Sequence, residues 1–247
     1  NLFFNFILQV VCFRGVIMSV SDWMVANDVI SFKIFSSTDA SDLPTGWTKT
    51  SKFTLDGAVF YDGRHMIVFS DKVAKVLIKD KKTKNHSLEE MQSWLNTTRG
   101  ATFVGYGSRK FDSLLLTRKH SVSGDHVDLA ELIFDASKNH YGDRGRRYDI
   151  QQLAELNKYK QTALRHISFL LKPFTLMAEW RMGMSRNVLK ALAAEAELIA
   201  QMYCQVVCHE SLKIIDERTE HPVSISFEHV RDIDKYTVNM KEIKEEE

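Results

Sequence analysis

The chain has 247 residues, of which 44% are hydrophobic and 26% are charged, a composition typical of a globular protein that buries a real core. Its 33 basic and 32 acidic residues leave a formal net charge of +1, which excludes a global positive field and limits any nucleic-acid surface to a local patch. The three cysteines lack the spacing of a disulfide framework, so we expect a reducing, intracellular compartment, either cytoplasm or nucleus.

The first segment, "NLFFNFILQVVCF", is apolar but reaches Arg14 too soon to span a bilayer, and it lacks the basic start and cleavage site of a secretory signal. We therefore expect Met18 to begin the folded protein and residues 1–17 to be a leader or an extraneous upstream segment. An interfacial anchor is the less favoured alternative. No later segment is long and apolar enough to cross a membrane, so no membrane partner is predicted.

The first half of the chain contains strand patterns. "DVISFKIFS" is rich in Val, Ile and Phe and predicts a buried strand. "GAVFYDGRHMIVFS" predicts a hairpin whose two strands are joined at Asp62-Gly63. "SLEEMQSWLNTT" predicts an amphipathic helix with a capping box formed by Ser87 and Glu90.

The second half contains mainly helix patterns. "FVGYGSRKFDSLLL" predicts the end of a strand, a glycine turn and the start of a helix. Further helices are predicted for "HVDLAELIFDAS", "DIQQLAELNKYK" and the long stretch "SRNVLKALAAEAELIAQMYCQVVCHESLKII". Residues 18–215 are therefore predicted to form an α/β three-layer fold with a central mixed sheet flanked by helices. Residues 216–247 are predicted to be a charged, partly disordered extension.

Two carboxylates are candidates for buried sites. Asp112 follows a buried strand end, where metal ligands are common, but one carboxylate cannot hold a catalytic metal. Glu195 lies on the apolar stripe of the last long helix, so it needs a cation, a metal or a position at the rim. Glu197 points to another side of that helix and is expected to be solvated.

The order of these motifs resembles the DEDD 3′–5′ exonucleases of the ribonuclease H-like superfamily, in particular the tyrosine subgroup. The resemblance runs from about residue 29 to residue 207. Three parts carry it: "GYGSRKFDSLLL", "HVDLAEL…GRRYDIQQLAELNKYK" and "EWRMGMSRNVLKALAAEAELIAQMY". It implies a ribonuclease H-like fold and a site in which four carboxylates hold two divalent ions for phosphodiester hydrolysis.

The family pattern, laid over this sequence, implies a degenerate site. The first-motif acids fall on Lys33 and Phe35, and the water-orienting tyrosine falls on Ala191. Asp112 and Glu195 remain. We therefore predict that the Lys33 ammonium takes the place of the ion and neutralises both acids. The alternative is that Lys33 points outward and the site has dissolved.

An active site could survive only with fewer ligands. In that case Asp112 and Glu195 would hold Mg²⁺ or Mn²⁺, whereas the favoured prediction needs no metal or other cofactor. Asp39 and Asp42 could replace the lost acids only after a shift in strand register, and their Ser/Asp/Pro context favours turn formation.

Basic residues near the second motif predict a nucleic-acid surface. Arg109 and Lys110 precede Asp112, and Tyr106 could offer a stacking surface. The basic loop "GDRGRR" adds Arg144, Arg146 and Arg147. The lysines between 79 and 84 are expected to form only a solvated face.

Three functions remain open from the sequence. The leading hypothesis is a catalytically inactive exonuclease-like domain that binds single-stranded RNA or DNA or serves as a scaffold. The second is a 3′–5′ exonuclease with a reduced ligand set. The third is a module that binds only a protein partner.

Overall fold

The computed structural model describes residues 10–13, 16–38, 52–73, 75–78, 81–142, 145–159, 173–209, 211–216, 218–228 and 233–243. The helices are α1 Val20–Ala26, α2 Met91–Thr97, α3 Asp112–Lys119, α4 Leu129–Tyr141, α5 Ile150–Leu156, α6 Pro173–Arg181 and α7 Ser185–His209. The strands are β1 Val10–Phe13, β2 Val16–Ser19, β3 Val29–Phe35, β4 Gly57–Tyr61, β5 His65–Phe69, β6 Lys82–His86, β7 Ala101–Gly105, β8 Gly124–Asp128, β9 Ser211–Asp216, β10 His221–Ser226 and β11 Thr237–Asn239.

Seven strands form the central mixed sheet in the order β11-β8-β7-β3-β4-β5-β6. Strands β3, β4 and β5 are an antiparallel meander, whereas β7 runs parallel to β3 and β8 runs parallel to β7. Strand β6 is parallel to β5, and β11 closes the other edge antiparallel to β8. Helices cover both faces, so the predicted α/β three-layer architecture with a mixed sheet is confirmed.

The alternation of side chains in β3 separates the two faces of the sheet. Ile30, Phe32 and Ile34 point to the face covered by α2 and α3. Val29 and Phe35 belong to the core on the other face, against α1, α4, α5 and α7. Lys33 lies an even number of residues from Val29 and Phe35, so its side chain is on the same face of the sheet and points toward α7. This position determines the geometry of the site described below.

Helix α7 packs close to the sheet, and its middle is rich in small residues. Ala191, Ala193, Ala194 and Ala196 are all fully buried. The Ser31 hydroxyl donates a hydrogen bond of 2.7 Å to the carbonyl of Ala196, which ties the helix to the middle of β3. A Cβ at Gly57 would lie 3.0 Å from the Leu189 side chain, so β4 also approaches the helix closely.

The hairpin turn between β4 and β5 lies one residue later than the sequence predicts. The Asp62 N–H donates to the His65 carbonyl at 3.3 Å, so the two central residues are Gly63 and Arg64. Gly63 has φ +86°, and a Cβ there would lie 2.5 Å from the Ser21 carbonyl oxygen. Glycine is therefore required both by the backbone conformation and by the close approach of α1.

The second half of the chain contains more strand than predicted. The segment "HVDLAELIFDAS" was expected to be entirely helical, but His126 to Asp128 belong to β8 and the helix begins at Leu129. These residues form a strand because they pair in parallel with β7, and this pairing outweighs the weak strand propensity of the short polar segment.

The predicted domain boundaries also differ from the structure. The β1–β2 hairpin crosses the expected start at Met18. The region from 216 to 247 was expected to be an extension, but its described residues complete the β9–β10 hairpin and form β11. Met240, just after β11, is fully buried with α3, so this part of the chain belongs to the sheet and its core. Within the described residues, no helix is both long and apolar enough to span a bilayer.

Candidate functional site

Lys33 lies between the two predicted carboxylates. Its Nζ is 2.9 Å from Asp112 Oδ2 and 3.3 Å from Glu195 Oε1. Lys33 comes from the α7 face of β3, Asp112 from the first turn of α3 and Glu195 from the buried stripe of α7. The predicted contact of Lys33 with both acids is therefore confirmed, and the alternative of an outward-pointing lysine is wrong.

The site holds one cation and two carboxylates away from bulk water. The side chains of Asp112 and Glu195 are only 3% and 9% exposed, and that of Lys33 is 21% exposed. Burial lowers the pKa of Lys33, but attraction to Asp112 and Glu195 outweighs it and raises that pKa above its ordinary value. Lys33 is therefore an ammonium at any physiological pH.

Asp112 and Glu195 share the one Lys33 ammonium. Burial raises the pKa of Asp112 to about 6, and the neighbouring Glu195 acts in the same direction, whereas Lys33 opposes both. A single ammonium cannot neutralise two buried carboxylates fully, so the pKa of Asp112 stays above its ordinary value.

The other positions of the implied exonuclease site carry apolar side chains. Phe35 is buried, and its ring lies 4.9 Å from the ring of Trp180. Ala191 is fully buried against the sheet. Neither side chain can ligate a metal or orient water. The donor set at this place does not fit a divalent ion, because an ammonium contacts both of the carboxylates that remain.

A second buried ion pair was missed at the sequence level. Glu197 was expected to be solvated, but it is 4% exposed and its Oε1 lies 2.9 Å from Lys81 Nζ. Lys81 also donates to the Tyr61 hydroxyl at 3.2 Å and lies over the Tyr61 ring at 4.6 Å. The expectation of a purely solvated face for the lysines between 79 and 84 is therefore wrong for Lys81. The partners are far apart in sequence, so no local pattern could indicate the pair.

The residues predicted to contact nucleic acid differ in how exposed they are and in which contacts they already make. Tyr106 is half-buried against the core, and its hydroxyl donates to the Tyr148 carbonyl at 2.5 Å, so it does not offer the free stacking surface that was expected. Arg109 is exposed but its guanidinium lies 3.2 Å from Glu131. Arg146 lies over the Tyr141 ring at 5.4 Å.

Lys110 and Arg147 are brought together by the fold. Both are exposed and both line a small cleft with ≈ 370 Å³ of empty volume, beside the ends of β7 and β8. The acids Asp128 and Glu131 line the same cleft. Arg144, also predicted here, lies outside the described residues.

Asp128 organises this region and was not singled out from the sequence. Its carboxylate accepts hydrogen bonds from the backbone N–H groups of Gly107, Arg109 and Ala130, at 2.8 to 3.0 Å. It thus caps α4 and holds the loop that precedes Asp112. An aspartate directly before the apolar helical pattern that begins at Leu129 is the signal that could have identified it.

The described residues contain no group of three or more His, Cys, Asp or Glu side chains placed to hold a metal ion. Asp39 and Asp42, the alternative acids, lie outside the described part of the chain. No family model matches this sequence, and no curated protein shows significant similarity to it.

Proposed function

We propose that the chain is a catalytically inactive exonuclease-like domain that binds single-stranded nucleic acid or acts as a scaffold. The observation that carries this proposal is the position of the Lys33 ammonium, 2.9 Å from Asp112 and 3.3 Å from Glu195. Two-metal hydrolysis needs positive ions between carboxylates, and here that position is taken by a cation that cannot activate water.

The sheet supports the exonuclease-like part of the proposal. A central mixed sheet flanked by helices is the arrangement that the resemblance to a ribonuclease H-like domain implies, and the chain has such a sheet. Asp112 and Glu195 also come from elements in the order that the resemblance implies.

Exposed cations support the binding part of the proposal. Lys110 and Arg147 line one cleft near the ends of β7 and β8, where a phosphodiester backbone could contact both. Such contacts are electrostatic and need no metal.

A nuclease and binding assay tests the proposal. Labelled single-stranded RNA and DNA are incubated with the protein in Mg²⁺ or Mn²⁺, and binding is measured over a range of salt concentrations. We expect intact strands and affinity that falls with salt. The K110A/R147A variant should reduce the slope of log K against log salt by about 1.4, at about 0.7 per lost phosphate contact. R186A/K213A is the matched control, because both residues are exposed and line neither this cleft nor the one described below.

The other two functions correspond to distinct outcomes. Strand trimming by the parent that disappears in the Asp112→Asn variant would support an active exonuclease with a reduced ligand set. Binding with no salt dependence, or no binding, would leave a module that contacts only protein.

A further inference from the structure

A larger cleft lies at the opposite end of the central strands, where β3 and β7 begin. Its empty volume is ≈ 1050 Å³. We call it the Arg64–Arg99 cleft. It is lined by Met24, Val25, Asp28, Val29, Ile30, Asp62, Arg64, His65, Lys84, Trp94, Thr97, Thr98, Arg99 and Ala101.

Three cations from separate elements converge on this cleft. Arg64 comes from the β4–β5 turn, Lys84 from β6, and Arg99 from the turn after α2, and all three are exposed. Within the described part of the chain none of them forms an ion pair. By contrast, Lys33 and Lys81 are held by acids. Like charges gathered in one cleft repel each other, so the arrangement favours an anionic ligand.

The acids in the cleft do not cancel this charge. Asp62 Oδ1 accepts the backbone N–H groups of Arg64 and His65, at 2.8 and 2.6 Å, and Oδ2 lies 3.2 Å from His65 Nδ1. Asp62 is thus engaged in closing the hairpin turn. Asp28 is the other acid of the lining, and three cations outnumber the two carboxylates.

The shape and the aromatic lining indicate a strand of nucleotides. Trp94 is half-buried, with its ring 4.7 Å from Phe60 and 5.4 Å from Phe69, so it is held firmly where it meets the cleft. An indole fixed beside several cations is the combination used to stack bases while the backbone is neutralised. The cleft is open to solvent and its lining extends from α1 and β3 to α2 and β6, so it has room for more than a single phosphate.

We propose that the Arg64–Arg99 cleft binds a short stretch of single-stranded nucleic acid, with Arg64, Lys84 and Arg99 contacting phosphates and Trp94 contacting a base. This inference rests on the proposed function and adds a second region of contact, at the end of the strands where β3 and β7 begin.

The test compares two variants of equal charge change on one oligonucleotide. The R64A/R99A variant should bind a labelled single strand at least tenfold more weakly than the parent at low salt, with a salt slope smaller by about 1.4. R186A/K213A should bind like the parent. Far-ultraviolet circular dichroism and thermal unfolding verify that both variants are folded, as expected for exposed side chains. A tryptophan fluorescence change on binding that the Trp94→Phe variant lacks is also expected.

The outcomes separate this inference from the proposed function. If the parent binds no oligonucleotide, the nucleic-acid part of the proposed function fails and this inference fails with it. If the parent binds and only K110A/R147A weakens it, the proposed function stands and the Arg64–Arg99 cleft is ruled out. A poly-glutamate peptide that competes as well as the oligonucleotide would also overturn the assignment to nucleic acid.

Discussion

Lys33 is a lysine on the buried side of a central strand, and its environment explains why it can stay charged there. An isolated ammonium in an apolar interior would lose its proton, but two carboxylates lie within 3.3 Å of this one. The cost of removing three charges from water is offset by their attraction only while all three are present. The lysine is therefore what allows the fold to bury both acids.

Replacing Lys33 by methionine should destabilise the fold, because it leaves two buried carboxylates without a cation. We expect a loss of about 3 kcal/mol in the free energy of unfolding at pH 7, at the lower end for a broken buried pair because Lys33 is partly exposed. Urea unfolding measures the change, and the exposed Lys213→Met is the control.

The triple variant K33M/D112N/E195Q makes that experiment specific. It removes all the charges at once, so it should recover much of the loss seen for Lys33→Met alone. A Lys33→Met protein that unfolds like the parent, or a triple variant no more stable than the single one, would contradict the role assigned to Lys33.

At the scale of elements, strand β8 carries a buried histidine into the core. His126 is 1% exposed, and its Nε2 lies 2.9 Å from the Ser108 hydroxyl and 2.8 Å from the Ser113 hydroxyl. Burial lowers its pKa to about 4, with Arg109 acting in the same direction and Asp128 opposing. The neutral imidazole therefore joins β8 to the loop before α3 and to α3 itself.

This histidine should make the fold sensitive to acid. The unfolded chain takes up the proton near pH 6.5 and the folded state only near pH 4, so stability is complete above pH 6.5 and is lost as the pH falls toward 4. The difference amounts to about 3 kcal/mol, since each pKa unit corresponds to 1.36 kcal/mol.

A His126→Asn variant isolates the effect, because Asp112 acts in the opposite direction over part of this range. The raised pKa of Asp112 lets the folded state bind a proton first, which adds stability as the pH falls from about 6 to about 4. We therefore expect the stability difference between parent and variant, measured by urea at pH 7 and pH 4, to shrink by about 3 kcal/mol. A difference that does not change with pH would show that His126 is not the acid-sensitive group.

The elements also show what the sequence could and could not predict. The position of Glu195 followed from the period of 3.6 in a helix, which is a local property, whereas that of Lys33 followed from the family pattern that the sequence resembles. Glu197 and Lys81 could not be paired in this way, since their contact depends on how α7 crosses the sheet. Strand β8 was missed because "GDHVD" carries little strand propensity, and β11 because "TVN" is too short to show an alternating pattern. Both strands are ordered by the neighbour they pair with.

At the scale of the whole molecule, the C-terminal part of the chain stabilises the sheet that the N-terminal part begins. Strand β11 pairs with β8 through Thr237, Val238 and Asn239, and Met240 is fully buried beside α3. The charged composition of this region suggested an extension, but a few well-placed residues are sufficient to close a sheet edge.

Truncation after Glu228 should therefore destabilise the entire domain. It removes the last strand of the sheet and exposes the apolar surface under Met240, whose side chain alone is worth about 2 kcal/mol of burial. We expect a loss of at least about 3 kcal/mol, in line with the cost of emptying a core position, and a shift of the whole urea transition.

Truncation after Ile243 keeps both β11 and Met240 and should unfold like the full chain. The point variant Met240→Ala should lose about 2 kcal/mol or more of unfolding free energy if burial of the Met240 side chain contributes to this stability in addition to the pairing of β11. A protein cut after Glu228 that unfolds at the same urea concentration as the full chain would mean that the sheet is stable without its seventh strand.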